Sequence, residues 1–178
     1  LPYEESGFVP NPIWKKIYKF QKWYDGDTAN FSIGQGEVMV TPLQICRMMA
    51  VFANHGKLVT PYLVKTIDGQ DFSASHRRIV PMHIKDAVID NINKGLRDVI
   101  SDEKGTANVL ANIGLSVAGK TGTSQNPRGL SHGWFAGFAP YEKPKYVICV
   151  FLEHGEHGYA AAVVAKRIFE LMLQQGLF

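Results

Sequence analysis

The densest chemistry in the chain lies in Val117-Ala118-Gly119-Lys120-Thr121-Gly122-Thr123-Ser124. An ammonium, three hydroxyls and two glycines interrupt a run that is otherwise strand-like. Side chains in a strand alternate between faces, so Lys120 and Gly122 share one face while Thr121 and Thr123 share the other. A cation beside hydroxyl donors on a sheet edge suits a carboxylate. The free backbone of an edge strand also suits an extended peptide, which adds as a further strand. Gly122 lets a ligand or a neighbouring helix come close to the main chain. Gly114 to Thr121 also matches the phosphate-loop spacing formally. That reading fails because Leu115, Val117 and Ala118 favour a strand, and Gly122 would break the helix a phosphate loop must open.

Other chemistry-bearing groups are weaker. Glu153-His154-Gly155-Glu156-His157 places two histidines among carboxylates, yet it sits in a glycine-containing connection and reads as a solvated loop rather than a metal site. His55, His76 and His83 fall near turns and share no ligand spacing. Cys46 and Cys149 lie among apolar neighbours and read as two buried free thiols, not a disulfide framework. Trp14, Tyr18, Phe20, Trp23 and Tyr24 are expected to anchor a long loop on the core rather than to form a binding face.

The elements that must position the motif follow from patterning. Residues 1–30, rich in Pro, Gly and aromatics without periodicity, read as irregular packed loop. Thr41-Pro42-Leu43-Gln44 has a capping threonine, a proline at the first helical position and a glutamine three after the cap, and Ile45, Met48, Met49 and Phe52 continue it as a helix ending near Gly56. A β-rich stretch over 58–64 precedes a turn at Asp68-Gly69. Ile84, Val88, Ile92, Leu96 and Val99 mark the buried stripe of a second helix. Gly105-Thr106-Ala107 reads as a break and a fresh N-cap for a short helix through Leu110. Strands are expected over 115–124, 133–139 and 145–153, the last two joined by a hairpin turn at Pro140 to Pro144. A final helix over 159–175 presents Val163, Val164, Arg167, Ile168, Leu171 and Met172 as one face. Helices, three antiparallel strands and a helix make an α+β chain.

Composition excludes several classes. The 178 residues carry a net charge of +3 with lysine and arginine scattered, which argues against a nucleic-acid binder. No apolar run is long enough to span a bilayer. The chain opens on Leu1-Pro2 rather than Met, as expected of a piece of something longer, with any export signal or anchor upstream.

Several segments together resemble one family. Lys120-Thr121-Gly122 is similar to a signature motif of penicillin-binding proteins and serine β-lactamases. His132-Gly133-Trp134-Phe135-Ala136-Gly137-Phe138-Ala139-Pro140 resembles the strand that follows it in that family, and Gly105-Thr106-Ala107 the short helix start before it. Ser32-Ile33-Gly34-Gln35-Gly36 with Thr41-Pro42-Leu43-Gln44 resembles the linking region of class B transpeptidases. Ser6 to Pro10 and Trp23 to Thr28 resemble most the elongation-type branch, the penicillin-binding protein 2 group.

The resemblance implies a single partial domain over 1–178. It would be the C-terminal portion of a transpeptidase fold, an antiparallel sheet with flanking helices, lacking the N-terminal strands and the helix that carries the nucleophile. It implies that Lys120 supports the proton network around a serine. Thr121 and Thr123 would bind a peptide or β-lactam carboxylate, with the Thr123 N–H as an oxyanion donor, and Gly122 would keep the strand clear. It implies no cofactor. The partners would be the peptidoglycan stem peptide, β-lactams, the upstream half of the same chain and the cell-elongation machinery. The domain would face the periplasm, anchored to the inner membrane. The family nucleophile sits in Ser-x-x-Lys, and Ser101-Asp102-Glu103-Lys104 matches formally. Two carboxylates beside Lys104 and a polar setting make it a solvated helix end instead. Ser124-Gln125-Asn126 imitates a second signature but follows the Lys-Thr-Gly strand directly, so it cannot face that strand across a cleft. Exposed apolar surface is then expected where the missing half belongs. The alternative is a non-catalytic penicillin-recognising sensor or interaction module. A division-type transpeptidase or serine β-lactamase is weaker, since no carboxylate here can be assigned as a deacylating base.

Overall fold

The computed structural model describes residues 4–71 and 78–178, so His76 lies outside the described residues. The chain divides into two compact units, one ending at Thr41 and the other beginning at Pro42.

The first unit is not irregular loop. It holds α1 (Pro12–Tyr18) and α2 (Asp25–Ser32). Asn11 caps α1 by accepting from the Trp14 N–H at 2.9 Å, and Pro12 takes the first turn, where its missing N–H costs nothing. In α2 the Asp27 carboxylate accepts from the Tyr24 N–H at 2.7 Å and from Lys15 Nζ at 2.6 Å. A reciprocal pair of backbone bonds between Phe8 and Met39 closes the unit. Neither helix has a fully buried residue, so periodicity could not announce them; their caps are the signal. Trp14 sits 4.7 Å from the Phe8 ring, while Tyr18, Phe20 and Tyr24 are exposed.

The second unit starts with α3 (Pro42–Ala53), followed by β1 (Lys57–Val59) paired antiparallel with β4 (Ile79–Pro81). Between them β2 (Thr66–Ile67) and β3 (Gln70–Asp71) form a hairpin about Asp68-Gly69. Then come α4 (Asp86–Ser101), a 3₁₀ turn at Asn108–Leu110, and a three-stranded antiparallel sheet. The sheet is β5 (Ala118–Ser124), β6 (His132–Ala139) and β7 (Tyr146–Leu152) in that order, and α5 (Gly158–Gln174) ends the chain. Thr121 pairs with Phe135, and Phe135 with Val150. Alternation then separates two cores. Phe135, Ala139 and Val150 face α5, meeting Ala161, Ala162, Ala165 and Phe169 together with Ile100, Leu110 and Val117. Ala118, Ala136 and Phe138 face Met49 and Ala53 of α3 and Leu96 of α4.

Both long helices are rotated from the faces that apolarity alone selects. In α5 the buried face is Gly158, Ala161, Ala162, Ala165 and Phe169, while Val163, Val164 and Leu171 are exposed. The reason is clearance. A Cβ on Gly158 would come within 2.6 Å of the Gly122 carbonyl oxygen, and the Phe135 ring lies across the paired Gly119 and Gly137. A helix this close to a sheet accepts alanine where it would reject valine. In α4 the buried stripe is Ile89, Asn93 and Ile100, with Val88 and Ile92 exposed. Asn93 fits because its amide donates to the Phe52 carbonyl at 3.1 Å, tying α4 to α3. Met48 and Tyr159 are exposed as well.

The rotated α5 face is testable in urea unfolding. Phe169→Ala should cost about 3–5 kcal/mol, whereas Val163→Thr should cost less than about 1 kcal/mol. Comparable losses from both would restore the valine face.

Candidate functional site: the outer edge of β5

Lys120 lies on a strand, not in a loop that opens a helix, which disposes of the phosphate-loop match. Among the described residues nothing pairs with the outer edge of β5, since β6 occupies its other side. The strand is held at both ends. At its start the Arg97 guanidinium donates to the Val117 carbonyl at 2.8 Å. At its end the Trp134 indole N–H donates to Ser124 Oγ at 3.0 Å.

The pairing register puts Lys120 and Gly122 on the face shared with Trp134 and Ala136, and Thr121 and Thr123 on the face turned to α5. Lys120 is exposed, and its Nζ donates to the Thr121 carbonyl at 2.8 Å. Thr121 is 9% exposed, and its hydroxyl shares a 2.7 Å hydrogen bond with Thr106 Oγ1. Thr121 thus does not bring its hydroxyl to the face on which Lys120 lies. Thr123 is exposed, and its Oγ1 accepts from the Gly158 N–H at 3.1 Å. The structure therefore gathers Lys120, Gly122 and Thr123 at an open strand edge and places the Thr121 hydroxyl behind it. An edge of this kind can take an extended peptide by main-chain pairing and hold an anionic end beside the ammonium.

Sequence reasoning missed the use made of Thr106. It does not cap the turn that follows; Ala107 holds the cap position of the 3₁₀ turn, without a side-chain bond. Its hydroxyl instead reaches a strand fifteen residues on, a pairing that no local pattern announces.

The decoys resolve in physical terms. Ser101 ends α4 and donates to the Arg97 carbonyl at 3.1 Å, and Lys104 is exposed beyond it. Asn126 accepts from the Arg128 N–H in the β5–β6 connection. His154 Nδ1 lies 3.2 Å from the Leu130 carbonyl, which makes it the donor, and the His154 N–H donates to His132 Nδ1 at 3.0 Å. Among the described residues no group of three or more His, Cys, Asp and Glu could hold a metal ion, and no helix is long and apolar enough to cross a membrane. Cys46 and Cys149 are free thiols, half-buried rather than buried. Burial, then the neighbouring Cys46, pushes the Cys149 thiol up to about 12, so it is no nucleophile at neutral pH.

The described unit is an α+β fold with a Lys-Thr-Gly edge strand backed by a helix, and comparison with known proteins gives the family. The profile of the penicillin-binding protein transpeptidase domain matches residues 1–174, and the chain belongs to that family. It is 34% identical to the peptidoglycan D,D-transpeptidase MrdA of Acinetobacter baumannii, over 97% of this chain and 28% of that protein. Among solved structures, the penicillin-binding protein PBP2 of Helicobacter pylori in complex with MreC superposes with a TM-score of 0.87 at 30% identity, over 99% of this chain and 33% of that one. PBP2 of Pseudomonas aeruginosa in complex with WCK 5153 gives 0.79 at 35% identity, over 94% of this chain and 37% of that one. The chain thus spans roughly a third of the length of these relatives.

The thiol carries a prediction. The folded state holds the Cys149 proton above the ordinary value of 9.0, so its stabilising contribution is intact below pH 9 and is lost as pH rises towards about 12. Unfolding midpoints should fall across that window, and Cys149→Ala should fall less steeply. Parallel pH profiles for the two chains would contradict the assignment.

Proposed function

We propose that this chain supplies one wall of the active site of a serine-type peptidoglycan D,D-transpeptidase, which cross-links cell-wall peptides by acyl-serine transfer and is a target of β-lactams. The observation that carries the reading is the open edge of β5, with Lys120 and Gly122 on one face and the strand braced from behind. The serine, with the lysine of its Ser-x-x-Lys motif, is supplied by the upstream part of the same protein.

In this reading the stem peptide, or a β-lactam in its place, lies along β5 as an added strand. The Lys120 ammonium faces the serine, stabilises its developing anion and supports the proton network that activates it. Thr123 offers its hydroxyl to the substrate carboxylate and its N–H to the oxyanion of the tetrahedral intermediate, where a fixed donor acts most strongly. Gly122 leaves the strand face clear for the acyl group. Thr121 contributes main-chain groups at the edge, because its hydroxyl is engaged behind the strand. Both compact units belong to one partial transpeptidase domain over 1–178, on the periplasmic face of the bacterial envelope and anchored to the inner membrane by the upstream part. The relative captured with MreC supports a partnership with cell-elongation machinery.

The test is penicillin acylation of the complete protein. Lys120→Ala should slow acylation by at least about a hundredfold, the size of loss seen when a preorganised electrostatic group is removed. Ser101→Ala should leave it within about threefold. Acylation that survives Lys120→Ala would overturn the assignment.

A further inference from the structure

We propose that Thr106 is a positioning residue for the Lys-Thr-Gly strand, holding Thr121 from behind so that Lys120 and the edge of β5 stand at a fixed height; this rests on the transpeptidase reading of that edge.

The argument begins with the segment that delivers Thr106. Gly105 has no room for a side chain, because a Cβ would collide with the Val99 carbonyl. Its N–H donates to the Asp102 carbonyl at 2.9 Å, and the Ala107 N–H to the Val99 carbonyl at 3.2 Å. The Asn108 amide donates to the Ile100 and Asp102 carbonyls at 3.2 and 2.9 Å. Ala107 and Leu110 are fully buried. The loop is therefore fastened to the end of α4 on both sides of Thr106, which turns the hydroxyl into a fixed post rather than a mobile surface group.

What that post holds is the strand. Thr121 is buried, and among the described residues Thr106 is the partner of its hydroxyl. The carbonyl of the same Thr121 accepts the Lys120 ammonium. A shift of Thr121 hence moves the lysine's anchor directly. One residue further, the other brace takes over: the Gly158 Cβ position would fall 2.9 Å from the Gly122 nitrogen, and the Gly158 N–H holds Thr123. Gly158 fixes the Thr123 end, and Thr106 fixes the Lys120 end. Without the Thr106 hydroxyl, a buried polar group loses its partner and must move to find another. Displacement of a catalytic strand by about 1 Å is enough to cost rate, by up to about a hundredfold.

The test compares Thr106→Val and Thr106→Ser in the complete protein, reading local amide hydrogen exchange and penicillin acylation together. Thr106→Val should speed exchange in peptides covering 119–124 by about tenfold or more and leave peptides of α3 unchanged, which separates local loosening from global destabilisation. Acylation should fall between about tenfold and a hundredfold. Thr106→Ser, which keeps the hydroxyl, should restore both to within about threefold. Unchanged exchange and acylation in Thr106→Val, or a Thr106→Ser chain as impaired as Thr106→Val, would overturn the proposal. If no version of the protein is acylated, the transpeptidase reading falls while exchange still decides the positioning role.

Discussion

The structure depends on one close approach, that of the N-terminal turns of α5 against the back of β5 and β6. Gly158 meets the Gly122 backbone and the Thr121 Cβ with no space for a methyl group, and Ala161, Ala162 and Ala165 continue the contact. At this separation the back of the strand can hold only small or hydrogen-bonded side chains. Thr121 and Thr123 satisfy that demand, one through Thr106 and the other through the Gly158 N–H. Period-two alternation then leaves Lys120 and Gly122 on the opposite face. The chemistry of the edge is thus a consequence of how the helix packs behind it.

That same constraint explains what could be read from the sequence. The three strands, the Asp68-Gly69 turn and the long helices were legible because alternation and the caps are local. Thr41-Pro42 and Gly56 bracket α3, and Lys120 to Thr123 announce their own faces. The α5 face was not legible, because ranking by apolarity selects Val163 and Val164 while the sheet selects for smallness. The stripe of α4 differs for a related reason: a buried asparagine, Asn93, holds a place in it that ranking by apolarity does not select, since its amide serves the Phe52 carbonyl. The helices before Thr41 escaped notice because they bury nothing fully and show only their caps. Thr106 was seen as a helix start, and its real partner lies in another element. The family signature was plain, but the two threonines share a face, and what divides them is the burial of Thr121 against Thr106.

The sheet also leaves both of its edges without a partner strand among the described residues. One edge of the sheet is β5, and the other is β7, whose apolar Tyr146-Val147-Ile148-Cys149-Val150-Phe151-Leu152 has no strand beyond it among the described residues. Exposed Val88, Ile92 and Met48 add apolar surface on α3 and α4. A fold that presents this much unsatisfied strand and apolar surface gains by covering it. In the proposed reading, what covers it is the upstream part of the transpeptidase domain.

The central claim is that the active site is divided between this chain and the sequence upstream of it. The direct measurement exposes the purified 178-residue chain to a fluorescent penicillin, alone and with the upstream part added, and reads adducts by intact mass. The account predicts no adduct on this chain alone and an adduct on the upstream part when both are present. A penicillin adduct on this chain by itself would contradict the claim, and Ser101 would be the first residue to map.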